Sequence, residues 1–233
     1  MQTVRKPVIA IFGTSDESYK HYAASVALAE TTAAALASKV VILSGASGTG
    51  DRGVKGAAAR GAGSSYRIGI DQKGRTNRLS SSKTIFQLST DLGNGRNFLE
   101  ACVCDAALCF PGEHGTTSEA VFALYLKRPV VFIGPEWPAT FLVGGLKALA
   151  GAAVALAGQG NTDAFAMELS KVADALESHP LARVSFLALE ERAAKIAAVV
   201  LALLGDDRSG TFPTIDSYAE EQRKFVAWLK GVS

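Results

Sequence analysis

The chain has 233 residues, 48% of them hydrophobic and 20% charged, with a formal net charge of +2. That length holds one sizeable core, or one domain with a helical appendage, and the composition is that of a globular chain, neither disordered nor fibrous. The small net charge excludes a global drive toward nucleic acid or anionic membrane, so any basic patch must be local.

Met1 to Pro7 leads straight into an apolar strand pattern, with no signal-peptide arrangement. Cys102, Cys104 and Cys109 fall in one short run, without C-x-x-C spacing and without a second ligand cluster. They read as buried structural thiols in a reducing compartment. The most apolar run, Phe141 to Ala157, is broken by Lys147, Gly144, Gly145 and Gly151 and reads as a helix followed by a strand, not a membrane span. A soluble, cytoplasmic protein is expected.

In chain order, Val8 to Phe12 is a continuous apolar run ending in Gly13-Thr14-Ser15, the pattern of a strand buried on both faces. Ser18 to Leu36 follows with Tyr22, Val26, Ala29, Ala33 and Leu36 at helical spacing. Val40 to Leu43 is a second buried strand, and Ser44 to Gly50 a Gly-rich turn. Then come an Ala-rich helix from about Val54 to Ala62 and a strand from Tyr66 to Ile70. Gln72 to Lys83 is polar and basic, either a solvated loop or a flap over a ligand site. Ile85 to Leu88 reads as a short strand, a helix starts at Gly95 or Arg96, and Ala106 to Phe110 is a buried strand. After the loop Pro111 to Thr117, a helix is expected to open at Ser118-Glu119, followed by a strand over Pro129 to Ile133.

Further elements are expected at Phe141 to Leu149 (helix), Ala152 to Leu156 (strand) and Asn161 to Leu176 (helix, capped by its first residues). His179-Pro180 breaks the chain, and two amphipathic helices follow, about Leu187 to Leu204 and Ile215 to Lys230. The expected fold is α/β: a Rossmann-like doubly wound parallel sheet over residues 1–179, with a C-terminal helical extension over 180–233.

Three strand-to-helix turns carry small residues: Gly13-Thr14-Ser15, Ser44 to Gly53 with Gly45, Ala46 and Ser47, and Pro111 to Thr117 with Gly112, His114, Gly115, Thr116 and Thr117. In an open parallel sheet such turns gather at the carboxyl edge, where backbone N–H groups and helix starts hold anions. The expected ligand is therefore a small phosphorylated molecule. Asp51-Arg52 stands where a Walker loop needs Lys and Ser or Thr, and the first strand lacks a G-x-G-x-x-G turn, which disfavours ATP hydrolysis and hydride transfer. Three scattered histidines, His21, His114 and His179, without an acidic cluster argue against a metal site. No basic stripe with interleaved aromatics suggests nucleic acid.

Gly112, Gly115 and Thr116 before Glu119 resemble the PGGxGTxxE loop of the Lonely Guy (LOG) phosphoribohydrolases and the wider SLOG group, which includes molybdenum cofactor carrier proteins. The resemblance covers roughly Val8 to Leu176 and extends to the FGTS end of the first strand, to Gly53-Val54 with Arg60-Gly61-Ala62, and to Arg96 nine residues before Asp105. It implies a Rossmann-like nucleotide-binding fold and assembly as a homodimer or homotetramer. It also places Arg96 and Glu119 on the family's residues for N-glycosidic cleavage of a nucleoside 5′-monophosphate. A carboxylate could there stabilise oxocarbenium character and a guanidinium clamp phosphate or ribose oxygens. The chain departs from the hydrolytic pattern at Asn97, where those members carry Lys, at Glu113 in place of the loop's second glycine, and in the short segment from Glu119 to Pro129. The Gly95-Arg96-Asn97 run and the short stretch from Ser118 to Pro129 are similar to the molybdenum cofactor carrier branch. Two functions follow as expectations: a binder of a phosphate-bearing nucleotide or molybdopterin-type cofactor, or a phosphoribohydrolase using Arg96 and Glu119.

Overall fold

A computed structural model of the chain describes residues 6–45, 52–72, 84–90, 96–134, 137 and 184–204. Strands are β1 (Val8–Phe12), β2 (Val41–Ser44), β3 (Arg67–Gln72), β4 (Thr84–Thr90), β5 (Ala106–Cys109), β6 (Val130–Ile133) and β7 (Val184–Leu187). Helices are α1 (Tyr22–Leu36), α2 (Gly53–Ala62), α3 (Arg96–Val103), α4 (His114–Tyr125) and α5 (Ala193–Leu204).

The seven strands are parallel and lie in the order β4-β3-β2-β1-β5-β6-β7. β1 is central, and every one of its residues is buried because helices cover both faces of the sheet. Its side chains alternate. Ile9 and Ile11 face a core shared with Ala29, Ala33 and Leu36 of α1, Val54 and Ala57 of α2 and Ile196 and Val200 of α5. Val8, Ala10 and Phe12 face a second core with Ala101 of α3 and Ala120, Ala123 and Leu124 of α4. Each fully buried Ile or Phe here contributes roughly 1.5–3 kcal/mol relative to exposure. The small alanines let α1, α2, α3 and α4 approach closely. The start of β1 is fixed by Asp105, whose Oδ2 accepts the Val8 N–H at 2.7 Å while its own N–H donates to the Val8 carbonyl at 2.7 Å.

The parallel Rossmann-like sheet and its first six strands agree with the sequence reading. Two element expectations are corrected. The helix expected over Leu187 to Leu204 begins only at Ala193, and Val184–Leu187 before it is a strand paired in register with β6. Val-Ser-Phe-Leu has the β-branched and aromatic content of a strand, and Phe186 stacks on Phe132 at 5.4 Å between ring centroids. The second correction, the start of α4, belongs to the site. The elements expected at 141–149, 152–156, 161–176 and 215–230, and the basic segment 73–83, lie outside the described residues.

Among the described residues no helix is long and apolar enough to cross a membrane. No group of three or more His, Cys, Asp or Glu side chains among them is placed to hold a metal ion.

Candidate functional site

From β1 the chain winds outward to β4, then returns to the other side of β1 as β5. The reversal in strand order therefore falls between β1 and β5, where the carboxyl ends of an open sheet leave a crevice. The loops that leave these two strands are bonded to each other. The Phe110 N–H donates to the Phe12 carbonyl at 2.9 Å, and the Thr14 N–H donates to the Pro111 carbonyl at 3.1 Å. A Cβ on Gly112 would fall 2.2 Å from the Thr116 hydroxyl oxygen and 2.9 Å from the Thr14 nitrogen, so the crossing admits no side chain.

The start of α2 is drawn into the same junction. The Thr14 carbonyl accepts the Val54 N–H at 3.0 Å, and the Gly53 N–H donates to the Tyr22 hydroxyl at 3.1 Å. Gly53 has φ +70°, and a Cβ there would meet the Thr14 carbonyl oxygen at 2.3 Å. It is glycine because of both the left-handed backbone and the close approach. Gly13 packs against the Val54 side chain.

The helix after β5 opens at His114, not at Ser118. Glu113 is extended at the N-cap, and its carbonyl already accepts the Thr117 N–H at 3.0 Å, the first helical bond. Gly115, Thr116 and Thr117 therefore form the first turn of α4, and Glu119 lies beyond the stretch where the helix dipole acts. As at any helix start, the leading N–H groups have no intrahelical acceptor, and the N-cap supplies no side-chain bond. Gly115 is exposed, with nothing within 4 Å of where a Cβ would stand. The position of this turn is set from α3. Asn97 Nδ2 donates to Ser118 Oγ at 2.7 Å and to the Gly115 carbonyl at 3.3 Å, and Ser118 Oγ donates to that same carbonyl at 2.7 Å.

Beneath these turns lies a buried charged cluster. Arg96, at the start of α3, donates from Nη1 to the carbonyls of Gly45 (3.3 Å) and Ile70 (3.2 Å), tying the ends of β2 and β3 together. The same nitrogen lies 3.6 Å from Oε1 of Glu100, one helical turn further along and fully buried. A Cβ on Gly45 would stand 2.8 Å from Arg96 Nη1 and 3.0 Å from Glu100 Oε1, so the β2 turn rests directly on this pair. Arg96 Nε is buried with no hydrogen-bond partner among the described residues. Glu119, on α4, is 8% exposed. Burial first, and then the negative charge of Glu100, push its carboxyl well above the usual carboxylate range, and a hydrogen bond with Glu100 acts in the same direction. The positive charges of Arg96 and Lys55 oppose this without overcoming it. Burial and the facing carboxyl of Glu100 together favour a proton on this pair.

The rim has a different character. Asp16 is kept below the usual carboxylate range by the Ser18 N–H (2.9 Å), then by the Ser18 hydroxyl (2.8 Å). Glu17 pairs with Arg52 at 3.3 Å in full solvent. Below the site lie three buried thiols. Burial pushes Cys104 up to about 12, and burial followed by the charge of Glu119 raises Cys109 well above the ordinary thiol value.

Of the residues singled out in the sequence, Gly13, Thr14, Ser15, Gly45, Gly53, Gly112, Gly115, Thr116, Thr117, Arg96 and Glu119 gather at one edge of the sheet. Gly53 and Gly112 allow close approach to the Thr14 backbone, and Gly13 and Gly45 close packing against the side chains of Val54 and of Arg96 and Glu100. Gly115 to Thr117 form the first turn of α4. Ala46, Ser47 and the side chain of His114 lie outside what is described. Sequence reasoning missed Glu100 and Lys55. The one signal for Glu100 was its i,i+4 spacing from Arg96, which on its own describes a surface ion pair.

No curated protein matches the chain. Among solved structures, the fold is shared with the molybdenum cofactor carrier protein of Chlamydomonas reinhardtii. One structure of it is 19% identical with a TM-score of 0.55, covering 87% of this chain and 100% of that one. A second is 21% identical with a TM-score of 0.54, covering 86% and 98%. The molybdenum cofactor binding protein from the phototrophic bacterium Rippkaea orientalis is 26% identical with a TM-score of 0.49, over 57% of this chain and 79% of that one. The family model of the SLOG cluster4 family matches residues 6–159, which take in β1, the crossing at Thr14 and Pro111, Arg96 and the start of α4, and the chain belongs to that family.

Proposed function

We propose that this protein binds a phosphate-bearing nucleotide or nucleotide-like cofactor, of molybdopterin type, at the carboxyl edge of β1 and β5, and carries it without turnover. The observation that carries this reading is the uncapped start of α4 at the β1/β5 reversal, with open space at Gly115. A phosphate there takes up leading N–H groups of α4 that the N-cap side chain does not bind. The unspent Nε of Arg96 is a further buried donor in the same region. Such a group fits these residues: Gly112 to Thr117 hold its phosphate, the Thr14 loop walls it, and Arg96 fixes the floor. That two solved structures of the same fold are described as molybdenum cofactor carrier proteins is consistent with the class of ligand.

A second reading is a nucleoside 5′-monophosphate phosphoribohydrolase, favoured by the presence of both Arg96 and Glu119 in one cluster. Glu119 is however buried with its carboxyl pushed well above the usual carboxylate range, and most of the described donor capacity of Arg96 Nη1 is spent on carbonyls and Glu100. Neither suits a carboxylate that orients water. We also propose a cytoplasmic homodimer or homotetramer, as the family resemblance implies, to be checked by light scattering.

Incubation with AMP and related monophosphates, with assay for free base and ribose 5-phosphate, separates the two. The carrier reading expects no turnover and a pterin or nucleotide retained through purification. Turnover abolished by Glu119→Ala would establish the hydrolase instead.

A further inference from the structure

Glu100 is a fully buried acid that binding of a phosphate does not by itself require. Its carboxylate lies 3.6 Å from Arg96 Nη1 and under the Gly45 turn, and it faces the carboxyl of Glu119 across the α3–α4 contact. That contact is held in place beside them by the 2.7 Å bond from Asn97 to Ser118. The charged and titratable groups acting on Glu119 are Glu100 and Arg96 from α3, Lys55 from α2 and Cys109 from β5. Two facing buried carboxyls cannot both ionise cheaply, even with Arg96 and Lys55 acting on Glu119, so the arrangement holds a proton.

We infer that Glu100 is a positioning residue that sets the Arg96 guanidinium beneath the β2 turn and shares one proton with Glu119, so that the site's affinity for an anion is linked to pH. With the proton in place Arg96 and Lys55 face one carboxylate, and the cluster carries a net positive charge. When the proton leaves, the second carboxylate cancels that charge beneath the anion-binding turn, and a phosphate is held less tightly. The inference deepens the phosphate-binding reading and rests on it for its ligand arm only.

The test has one arm without ligand and one with it. The Glu100–Glu119 pair holds its proton to higher pH in the folded state than an unfolded chain, whose glutamates lose theirs above about pH 4.3. The pair's contribution to stability is thus full below that pH and is lost as pH rises toward the folded value. Urea unfolding from pH 4 to 9 is expected to show this fall in the wild type, and a smaller fall in Glu100→Gln, where Arg96 is left to neutralise Glu119. Superimposable profiles would overturn the inference. Should Glu100→Gln not fold, carbon-13 NMR of the wild-type glutamate carboxyls decides: two coupled buried titrations support the inference, and two independent titrations at ordinary values overturn it.

In the ligand arm AMP is titrated between pH 7 and 9, above the second phosphate ionisation near about 6. Wild-type Kd is expected to weaken by up to about tenfold per pH unit above the pair's titration, with that slope lost in Glu100→Gln. An equal slope in both proteins would overturn the linkage while leaving the binding site intact. Failure of the wild type to bind AMP at every pH would instead count against the site, with the role of Glu100 then decided by the first arm.

Discussion

The Thr14 N–H and the Pro111 carbonyl, 3.1 Å apart, close the β1 loop onto the β5 loop at the one place where the strand order reverses. Gly112 lies immediately beyond this bond. Gly112→Ala would set a methyl 2.2 Å from Thr116 Oγ1 and 2.9 Å from the Thr14 backbone nitrogen. The threonine side chain can rotate away, but the backbone cannot. A loss of about 1–3 kcal/mol is expected in urea unfolding, together with weakened AMP binding because the cradle is forced open.

Gly53→Ala should be as costly or worse. The substitution meets the Thr14 carbonyl oxygen at 2.3 Å and imposes φ +70° on alanine. The backbone conformation alone costs on the order of 1–3 kcal/mol before the clash is relieved. By contrast, Gly115→Ala meets nothing within 4 Å and sits in a helical turn, so unchanged or slightly raised stability is expected. Thermal melts of the two variants side by side separate structural glycine from ligand-facing glycine.

Asp105 supports the frame, not the ligand. Asp105→Ala removes the acceptor of the Val8 N–H and leaves a part-buried donor at the start of the central strand. The expected cost is about 1–3 kcal/mol. Asp105→Asn, which keeps a side-chain oxygen, should recover part of it, and AMP affinity measured on the folded fraction should not change.

The three thiols should be silent in the native protein. Cys102, Cys104 and Cys109 are buried and form no disulfide, and burial holds Cys104 at about 12 and Cys109 well above the ordinary value. An aromatic disulfide reagent at pH 8 is expected to react with none of them until urea is added, and then with all three. Rapid native labelling would contradict the packing around β5.

The buried strands were legible because two-sided burial makes β1, β2, β5 and β6 continuous apolar runs, and no other element of this length does so. The glycine-rich turns were legible as a group because they end those strands. The beginning of α4 was not. His-Gly-Thr-Thr has poor helix propensity, and only the extended Glu113 backbone with the Thr117 bond shows that the helix is already under way. β7 was hidden because Val184–Leu187 is four residues long and runs toward a helix whose apolar spacing overlaps it. Glu100 was invisible as a site residue, since only its burial distinguishes it from a solvated partner of Arg96.

The most direct measurement of the central claim is a calorimetric titration of wild type and Gly115→Asp with AMP, beside their urea stabilities. The substitution would place a carboxylate in the first turn of α4, where a negative charge stabilises a helix by about 0.3–1 kcal/mol. The same charge would occupy the place assigned to the phosphate. The account predicts that Gly115→Asp is as stable as wild type or more so and binds AMP at least tenfold more weakly. Equal affinity in the two proteins, or no binding of AMP, GMP or pyrophosphate by the wild type, would contradict it.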